Sequence, residues 1–141
     1  KPTLESTIVK REDIPLRHGD TFNQGKHGTT GHFTASNGDI VLLVTERNGT
    51  YQEHVQGWTP EYVYRWISQN STTPESKKGK ALQVSENIHL YSRETKRQHN
   101  CKFEYQGRFK LDSFEQVTRN TVNSHGLPKT YHPMYCRLVR A

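Results

Sequence analysis

Alternation of apolar and polar residues in the second half of the chain predicts a half-buried β-strand over residues 101–111. The large apolar residues of this run recur at intervals of two or four: Phe103, Tyr105, Phe109 and Leu111. Side chains on a strand point alternately to its two faces, so a period of two indicates one buried face and one polar face. Gly107 interrupts the run, and we expect a break or a bulge there.

Other segments show similar strand patterns. Residues 39–45 form the most apolar run, rich in β-branched residues, which predicts a central strand buried on both faces. Residues 87–93 and 134–140 also read as strands, and in the latter Met134, Cys136 and Leu138 share one face. Residues 61–67 favour a strand over a short helix because they are aromatic and β-branched.

The remaining segments predict turns, loops and one short helix. Asn48-Gly49 is typical of a hairpin turn, and it leads into a predicted strand over residues 51–56. Residues 57–60 predict a turn, residues 80–86 a short helix, and residues 69–79 and 118–132 long polar loops.

These elements predict a mostly β domain of about seven or eight strands with one or two short helices. A curled β-barrel is the economical way for such a domain to cover its sheet edges. The length of 141 residues suits one domain. We expect residues 1–15 to form an N-terminal arm or edge strand and residues 16–141 to form the domain proper. Because the chain begins at Lys1, we expect it to be excised from a larger protein.

Composition and charge limit the classes of partner that this protein can be expected to bind. Only 30% of residues are hydrophobic, but seven Tyr, five Phe and two Trp supply large buried surfaces. The net charge of +6 favours a polyanionic partner, most commonly nucleic acid. No apolar run approaches the roughly 20 residues of a membrane span, so we expect no membrane association and a cytoplasmic location, or a nuclear one in a eukaryote.

Cysteine usage predicts no disulfide framework, and we separately expect no cofactor. The two cysteines favour a reducing compartment. The ordinary interpretation of the two cysteines is that each is a buried free thiol. The alternative is a zinc site, whose ligands would be His99, Cys101, His132 and Cys136.

Two segments carry candidate nucleic-acid contacts. Residues 23–32 contain three glycines, and such a loop can bring backbone N–H groups and Lys26 to a phosphate. Residues 58–66 hold the densest aromatic patch, Trp58, Tyr62, Tyr64 and Trp66. These rings are either core or surfaces on which bases stack.

Several motifs, in this order, resemble the SRA domain (SET and RING associated, also called YDG), a PUA-like β-barrel that reads modified cytosine in DNA. Gly19-Asp-Thr-Phe22 resembles the family's Gly-Asp-x-Phe strand, and Asn48-Gly-Thr-Tyr51 resembles its Ser-Gly-Gly-Tyr turn. Residues 80–93 are similar to its Ala-Leu-x-x-Ser helix and following strand. Residues 103–109 resemble the Tyr-Asp-Gly-Leu-Tyr motif, with Gln106 in place of the usual Asp, and residues 135–140 resemble the last strand.

The resemblance implies that a flipped base stacks between two aromatic rings. Tyr51 takes the first stacking position and Tyr64 the second, with Tyr62 as the substitute. The family's carboxylate for the exocyclic amine of cytosine is replaced here by His54, with Glu53 beside it. Because a neutral imidazole both donates and accepts, hydroxymethylated, glucosylated or other bases stay open as ligands. Trp66 and Phe33 complete the predicted base pocket.

The predicted contacts to the DNA backbone are basic, imidazole or hydroxyl side chains. They are Arg17, Lys26, His27, Thr29, Thr30, His32, Lys77, Lys78, Lys80, Arg119 and Lys129.

The function implied by the resemblance is binding of duplex DNA that carries a modified base, as the targeting domain of a modification-dependent restriction endonuclease. The chain by itself is then not the enzyme, and a fused nuclease domain would cut. One alternative is an RNA-binding PUA-like module, and another is a protein-interaction domain that uses the aromatic patch. A third is a small metal-dependent nuclease that uses His27, His32 and Asp20 or Asp39, although no His-Asn-His cassette is present.

Overall fold

The computed structural model describes residues 7–47 and 54–141. Its strands are β1 (Ile8–Val9), β2 (His32–Thr34), β3 (Ile40–Thr45), β4 (Gly57–Trp58), β5 (Tyr64–Ile67), β6 (Ile88–Arg93), β7 (Phe103–Gln116), β8 (Arg119–Val122), β9 (Pro128–Tyr131) and β10 (Met134–Arg140). Helix α1 spans Gln24–His27 and helix α2 spans Lys77–Val84, with 3-10 turns at Arg11–Asp13, Pro15–His18 and Gln98–Cys101. The prediction of a mostly β domain is confirmed. None of the helices in these two ranges is long and apolar enough to cross a membrane.

The main sheet is mixed and strongly curled. Its strand order is β2-β3-β6-β7-β10-β5-β4, and β1 pairs with the start of β7. The pair β3–β6 is parallel, while the other neighbouring pairs are antiparallel. Strands β8 and β9 form a separate hairpin.

Side chains bridge the two ends of the curl, where β2 and β4 are not paired with each other in the described ranges. Gln56 Nε2 donates to the Thr45 carbonyl (3.3 Å), and Gln56 Oε1 accepts from Ile67 N (3.2 Å). Lys78 Nζ, from α2, donates to the His32 carbonyl (2.9 Å). The described sheet is therefore a curled sheet, and its strands do not close into a barrel.

Two apolar clusters follow from the alternation along the strands. The inner one fills the curl beneath α2 and consists of Ile40, Leu42, Val44, Tyr64, Trp66, Leu82, Ile88, Leu90, Phe109, Met134, Cys136 and Leu138. The outer one is covered by the N-terminal segment and consists of Val9, Ile14, Phe33, Val41, Leu43, Tyr91 and Phe103. Strand β3 contributes to both clusters, which confirms that it is buried on both faces.

The predicted bulge near Gly107 is confirmed. The register between β6 and β7 shifts there, because Leu90 faces Gly107 while Tyr91 faces Tyr105. Gly107 has a φ of 109°, in the region that favours glycine.

Three element predictions were wrong. Residues 57–60 do not form only a turn, since β4 lies there and pairs with β5. Residues 118–132 are not a loop but the β8–β9 hairpin, whose turn is closed by Asn123 Oδ1 accepting from His125 N (2.9 Å) and Leu127 N (3.0 Å). The predicted strand over residues 51–56 is absent from its described part, residues 54–56, and the Asn48-Gly49 turn lies outside the described residues.

Helix α2 begins three residues before the predicted start. Ser76 Oγ accepts from Gly79 N (3.1 Å) and so caps the first turn at Lys77. The early start places Lys77 and Lys78 on the helix rather than in a loop.

Candidate nucleic-acid interface

A cavity of about 480 Å³ opens between the glycine-rich loop 28–31 and the carboxyl ends of β3 and β5. We call it the β3–β5 cavity. It is lined by Arg11, Gly28, Thr29, Thr30, Gly31, Leu43, Val44, Thr45, Gln56, Trp66, Ile67, Ser68, Gln69, Arg93 and Lys96. Its volume lies in the range of about 300–1,000 Å³ that is typical of small-ligand pockets.

The cavity combines an aromatic wall with polar groups held in place. The Trp66 side chain is only 4% exposed and forms part of the wall beside Val44 and Ile67. Gln69 Nε2 donates to Thr30 Oγ1 (3.1 Å), and Gln69 Oε1 accepts from Lys78 Nζ (3.2 Å). Because both ends of this amide are engaged, it keeps one orientation toward a ligand.

Arg11 positions the glycine-rich loop. Its Nη1 donates to the carbonyls of His27 (3.1 Å) and Thr30 (2.7 Å). Helix α1 precedes the loop and is capped by Asn23, whose Oδ1 accepts from Lys26 N (3.0 Å). The N-terminal segment therefore builds one side of the cavity.

Three basic side chains line the mouth: Arg11, Arg93 and Lys96. Arg93 Nε donates to Thr45 Oγ1 (2.9 Å), and its guanidinium lies 4.1 Å from the centre of the Phe103 ring. Burial lowers the pKa of the Arg11 side chain, and the neighbouring Arg93 lowers it further. An arginine nevertheless stays charged in proteins, so the mouth is cationic.

These three residues were not among the predicted contacts. Arg11 belongs to a segment predicted as an arm, and Arg93 and Lys96 belong to a strand end and the turn after it. Each is an ordinary basic residue in the sequence, and only the curl of the sheet brings them together.

The structure separates the residues predicted for the base pocket. Tyr51 and Glu53 lie outside the described residues. Trp66 lines the β3–β5 cavity. Tyr64, in contrast, is fully buried, with its hydroxyl donating to Glu46 Oε2 (2.7 Å), so neither face of its ring is open to a base in this structure.

The other predicted pocket residues also lie apart from the cavity. Phe33 is buried in the outer cluster. The His54 ring packs at 5.0 Å from the Tyr135 ring. Tyr62 is 83% exposed in the turn between β4 and β5, with a φ of 61°. None of these three lines the β3–β5 cavity.

Four predicted backbone contacts lie near the cavity or close to its loop. Thr29 and Thr30 line it. Lys78 supports it through Gln69, and Lys26 lies 4.0 Å from Asp20.

The other predicted backbone contacts are distributed over the molecule. His27 and His32 are 2% and 1% exposed, so they face the interior rather than solvent. Arg119 Nη1 donates to Asn70 Oδ1 (2.5 Å). Lys77, Lys80 and Lys129 are exposed, and Arg17 lies in a second, separate cleft.

His32 is a buried histidine without a hydrogen-bond partner for either ring nitrogen among the described residues. Its ring lies 6.1 Å from the Trp66 ring, behind the cavity wall. Burial lowers the pKa of His32 to about 3, and the Lys78 charge adds to the effect. The imidazole is therefore neutral at pH 7.

The His32→Leu variant is expected to be less sensitive to acid than the wild-type protein. The unfolded chain takes up a proton on His32 below pH 6.5, whereas the folded chain does so only near pH 3. The free energy of unfolding therefore falls as the pH drops through this window, by on the order of 2–3 kcal/mol between pH 7 and pH 4.5. Urea unfolding at both pH values measures the difference.

The matched control is His125→Leu, which changes an exposed histidine in the β8–β9 turn. It should leave the acid sensitivity as it is in the wild-type protein. Equal acid sensitivity of His32→Leu and wild type would show that His32 is not the buried neutral group described here.

No three His, Cys, Asp or Glu side chains within residues 7–47 and 54–141 are placed to hold a metal ion. Cys136 is buried in the inner cluster, where burial raises its thiol pKa to about 12, while Cys101 is exposed. Asp39 contacts His89 rather than His27 or His32. The described residues thus assemble neither the alternative zinc site nor the alternative nuclease set.

The curled mixed sheet, with short helices at its edges, is an SRA-like fold. A solved structure of the sulfur binding domain and SRA domain of ScoMcrA complexed with phosphorothioated DNA aligns with 99% of this chain at a TM-score of 0.59 and 11% identity. The MspJI restriction endonuclease in complex with a 27-mer oligonucleotide aligns with 79% at a TM-score of 0.43 and 12% identity. The chain spans 40% and 32% of these two proteins. No family model and no curated protein matches the sequence.

Proposed function

We propose that this chain binds duplex DNA and reads a modified base that is flipped out of the helix into the β3–β5 cavity. The observation that carries the proposal is the cavity itself, with an indole wall inside and three basic side chains at its mouth. The SRA-like neighbour in complex with phosphorothioated DNA supports the choice of DNA as the partner.

The energetics of flipping fit a site of this kind. Extruding one nucleotide costs a few kcal/mol, and least when the base is mismatched, damaged or already unpaired. Stacking on an aromatic ring returns about 1–3 kcal/mol per base. Among the described residues Trp66 is the aromatic side chain that lines the cavity, and we propose that the base contacts the part of its indole ring that forms the wall, while hydrogen bonds to fixed polar groups supply the rest.

Polar groups on the walls provide the selectivity. Thr45 Oγ1 accepts from Arg93 Nε, so its hydroxyl proton is directed elsewhere and can be donated to a ligand. The amides of Gln56 and Gln69 are locked by their partners. A base substituent that satisfies these groups is favoured over a hydrogen atom in the same place, because unpaired buried polar groups cost free energy.

The basic mouth holds the DNA backbone beside the flipped nucleotide. Arg11, Arg93 and Lys96 line the cavity, and we propose that they contact the sugar–phosphate chain as the base enters. Such contacts add affinity without sequence preference and weaken with salt. We propose a modified cytosine as the base and the targeting of a nuclease domain in a longer protein as the biological role.

A binding panel at fixed salt tests the proposal. One duplex sequence carries cytosine, methylcytosine, hydroxymethylcytosine, glucosylated cytosine or methyladenine at a single position, with the matching RNA as a comparison. We expect one modified cytosine duplex to bind at least about tenfold tighter than the plain duplex, a difference of the size expected when the modification pairs a buried polar group that the plain base leaves unpaired. Equal affinity in all DNA lanes would contradict base reading, and tighter binding of RNA would favour the RNA-binding alternative.

A further inference from the structure

The β8–β9 hairpin stands apart from the main sheet and takes no part in the β3–β5 cavity. Its two strands pair with each other and, among the described residues, with no other strand. Most of its residues are exposed, and none of them lines the cavity. An isolated two-stranded hairpin is barely stable in water, so other contacts must hold its base and its turn.

Hydrogen bonds fix the shape of the hairpin at both ends. At its base, Val117 N donates to the Pro133 carbonyl (3.0 Å). At its turn, Asn123 N donates to the Leu127 carbonyl (2.9 Å), while Asn123 Oδ1 accepts from Leu127 N (3.0 Å). The hairpin therefore holds one conformation before a partner is present, which reduces the entropy that binding costs.

The base of the hairpin is attached to the wall of the β3–β5 cavity. Arg119 Nη1 donates to Asn70 Oδ1, and Asn70 directly follows Gln69, which lines the cavity. Met134 N, just after the hairpin, donates to Ser68 Oγ (2.8 Å), and Ser68 also lines the cavity. The hairpin thus extends from the side of the cavity that the end of β5 forms.

The length of the hairpin limits how far its tip lies from the cavity. Val122 is the last residue of β8 and lies three residues beyond Arg119. At the rise of an extended strand this is roughly 10 Å. Base pairs of DNA are stacked about 3.4 Å apart, so the tip reaches about three base pairs from the cavity wall.

The tip of the hairpin is apolar and exposed. The side chains of Val122 and Leu127 are 63% and 59% exposed, and Pro128, which pairs with Val122, is exposed beside them. Apolar side chains in a DNA groove contact base edges such as the thymine methyl group. Such a tip suits the bases rather than the phosphates.

The charge of the hairpin is complementary to DNA. Residues 116–141, which include the whole hairpin, contain no Asp or Glu. Lys129 is exposed on β9, and His125 is exposed in the turn. A segment with cations and no carboxylates is attracted to a polyanion, so the approach of DNA meets no opposing charge from the hairpin itself.

One polar pair on the exposed face is oriented toward a partner. Thr130 Oγ1 donates to Asn120 Oδ1 (3.0 Å), and both residues are exposed. Because this bond engages the amide oxygen, the amide N–H groups of Asn120 point away from Thr130 and can donate to an acceptor on a base edge.

We propose that the β8–β9 hairpin enters the major groove of the bound duplex and contacts base pairs within about three positions of the nucleotide at the β3–β5 cavity. The major groove is about 12 Å wide and admits a two-stranded ribbon, whereas the minor groove is about 6 Å wide. The major groove of A-form RNA is too narrow for side chains to read. This inference rests on the proposed binding of duplex DNA but does not require base extrusion.

Val122→Glu tests the contact, with Val84→Glu as the matched control. Both variants place a carboxylate at an exposed valine, and Val84 is the last residue of α2, 82% exposed and outside the hairpin. We expect Val122→Glu to weaken modified and plain duplexes by the same factor, about tenfold or more, because its carboxylate is placed between phosphates. Val84→Glu should bind both duplexes as the wild-type protein does.

Methylation of bound DNA by dimethyl sulfate identifies the groove. The reagent attacks guanine N7 in the major groove and adenine N3 in the minor groove. We expect the wild-type protein and Val84→Glu to protect guanine N7 within about three base pairs of the modified position, and Val122→Glu to lose this protection at concentrations that saturate binding. Lys129→Ala should weaken both duplexes and lower the salt slope by about one.

Equal affinities of Val122→Glu and Val84→Glu would overturn the proposal, and so would protection of adenine N3 in place of guanine N7. A failure of base reading gives a different result. In that case the wild-type protein binds modified and plain duplexes equally, while Val122→Glu still weakens both and still loses the N7 protection.

Discussion

The Thr29→Phe variant is expected to bind the preferred modified duplex no more tightly than the plain duplex. Thr29 is exposed and lines the β3–β5 cavity, so a phenyl ring there would occupy the space proposed for the flipped base without disturbing either apolar cluster. Loss of one stacked base corresponds to about 1–3 kcal/mol, or about tenfold or more in affinity. Binding isotherms for the two duplexes at one salt concentration measure the ratio.

Thr34→Phe is the matched control, because Thr34 is exposed on β2 and does not line the cavity. This variant should retain the wild-type preference for modified DNA. If Thr29→Phe also retains it, the base does not enter the β3–β5 cavity. If Thr29→Phe weakens both duplexes by the same factor, the loop contributes only to backbone binding.

The Gly79→Ala variant is expected to be strongly destabilised, against the usual preference of helices for alanine. Alanine exceeds glycine in helix propensity by roughly 1 kcal/mol. A Cβ at Gly79, however, would lie 1.7 Å from the Thr73 carbonyl oxygen and 3.2 Å from Met134 Sδ. The backbone of α2 must move away from its neighbours to relieve this contact. We expect a loss of about 1–3 kcal/mol or more in the free energy of unfolding, measured in urea.

Gly25→Ala serves as the comparison, since it is the same change in α1. A Cβ there would meet Asn23 Oδ1 at 3.4 Å, an ordinary van der Waals contact. Its stability should stay near that of the wild type. A Gly79→Ala protein as stable as Gly25→Ala would mean that α2 does not pack against Thr73 as described.

Much of the sheet was predictable because a strand that is buried on one face has apolar residues at every second position of its sequence. Strand β10 begins and ends where its alternation does, and Met134, Cys136 and Leu138 face the inner cluster. The bulge in β7 was predictable because a glycine interrupts an alternating run. The β8–β9 hairpin was missed since exposed strands carry no apolar alternation, and its residues are mostly exposed.

The candidate site was harder to predict for a different physical reason. Tyr64 and Trp66 lie two residues apart and so share one face of β5, and the pattern does not tell which of the two rings lines a cavity. In the fold both rings are buried: Tyr64 packs beneath Trp58 of β4, with ring centres 5.5 Å apart, while Trp66 lines the β3–β5 cavity. Arg11 reaches the cavity from a distant segment, and long-range placement of that kind leaves no periodic signal.

Base extrusion itself is the most direct test of the central claim. A duplex with 2-aminopurine next to the modified base reports loss of stacking as a rise in fluorescence. The wild-type protein and Thr34→Phe are predicted to produce this rise, and Thr29→Phe is predicted to produce none. Tight, modification-selective binding by the wild-type protein with no change in fluorescence would contradict the account, because the modified base would then be read inside the helix.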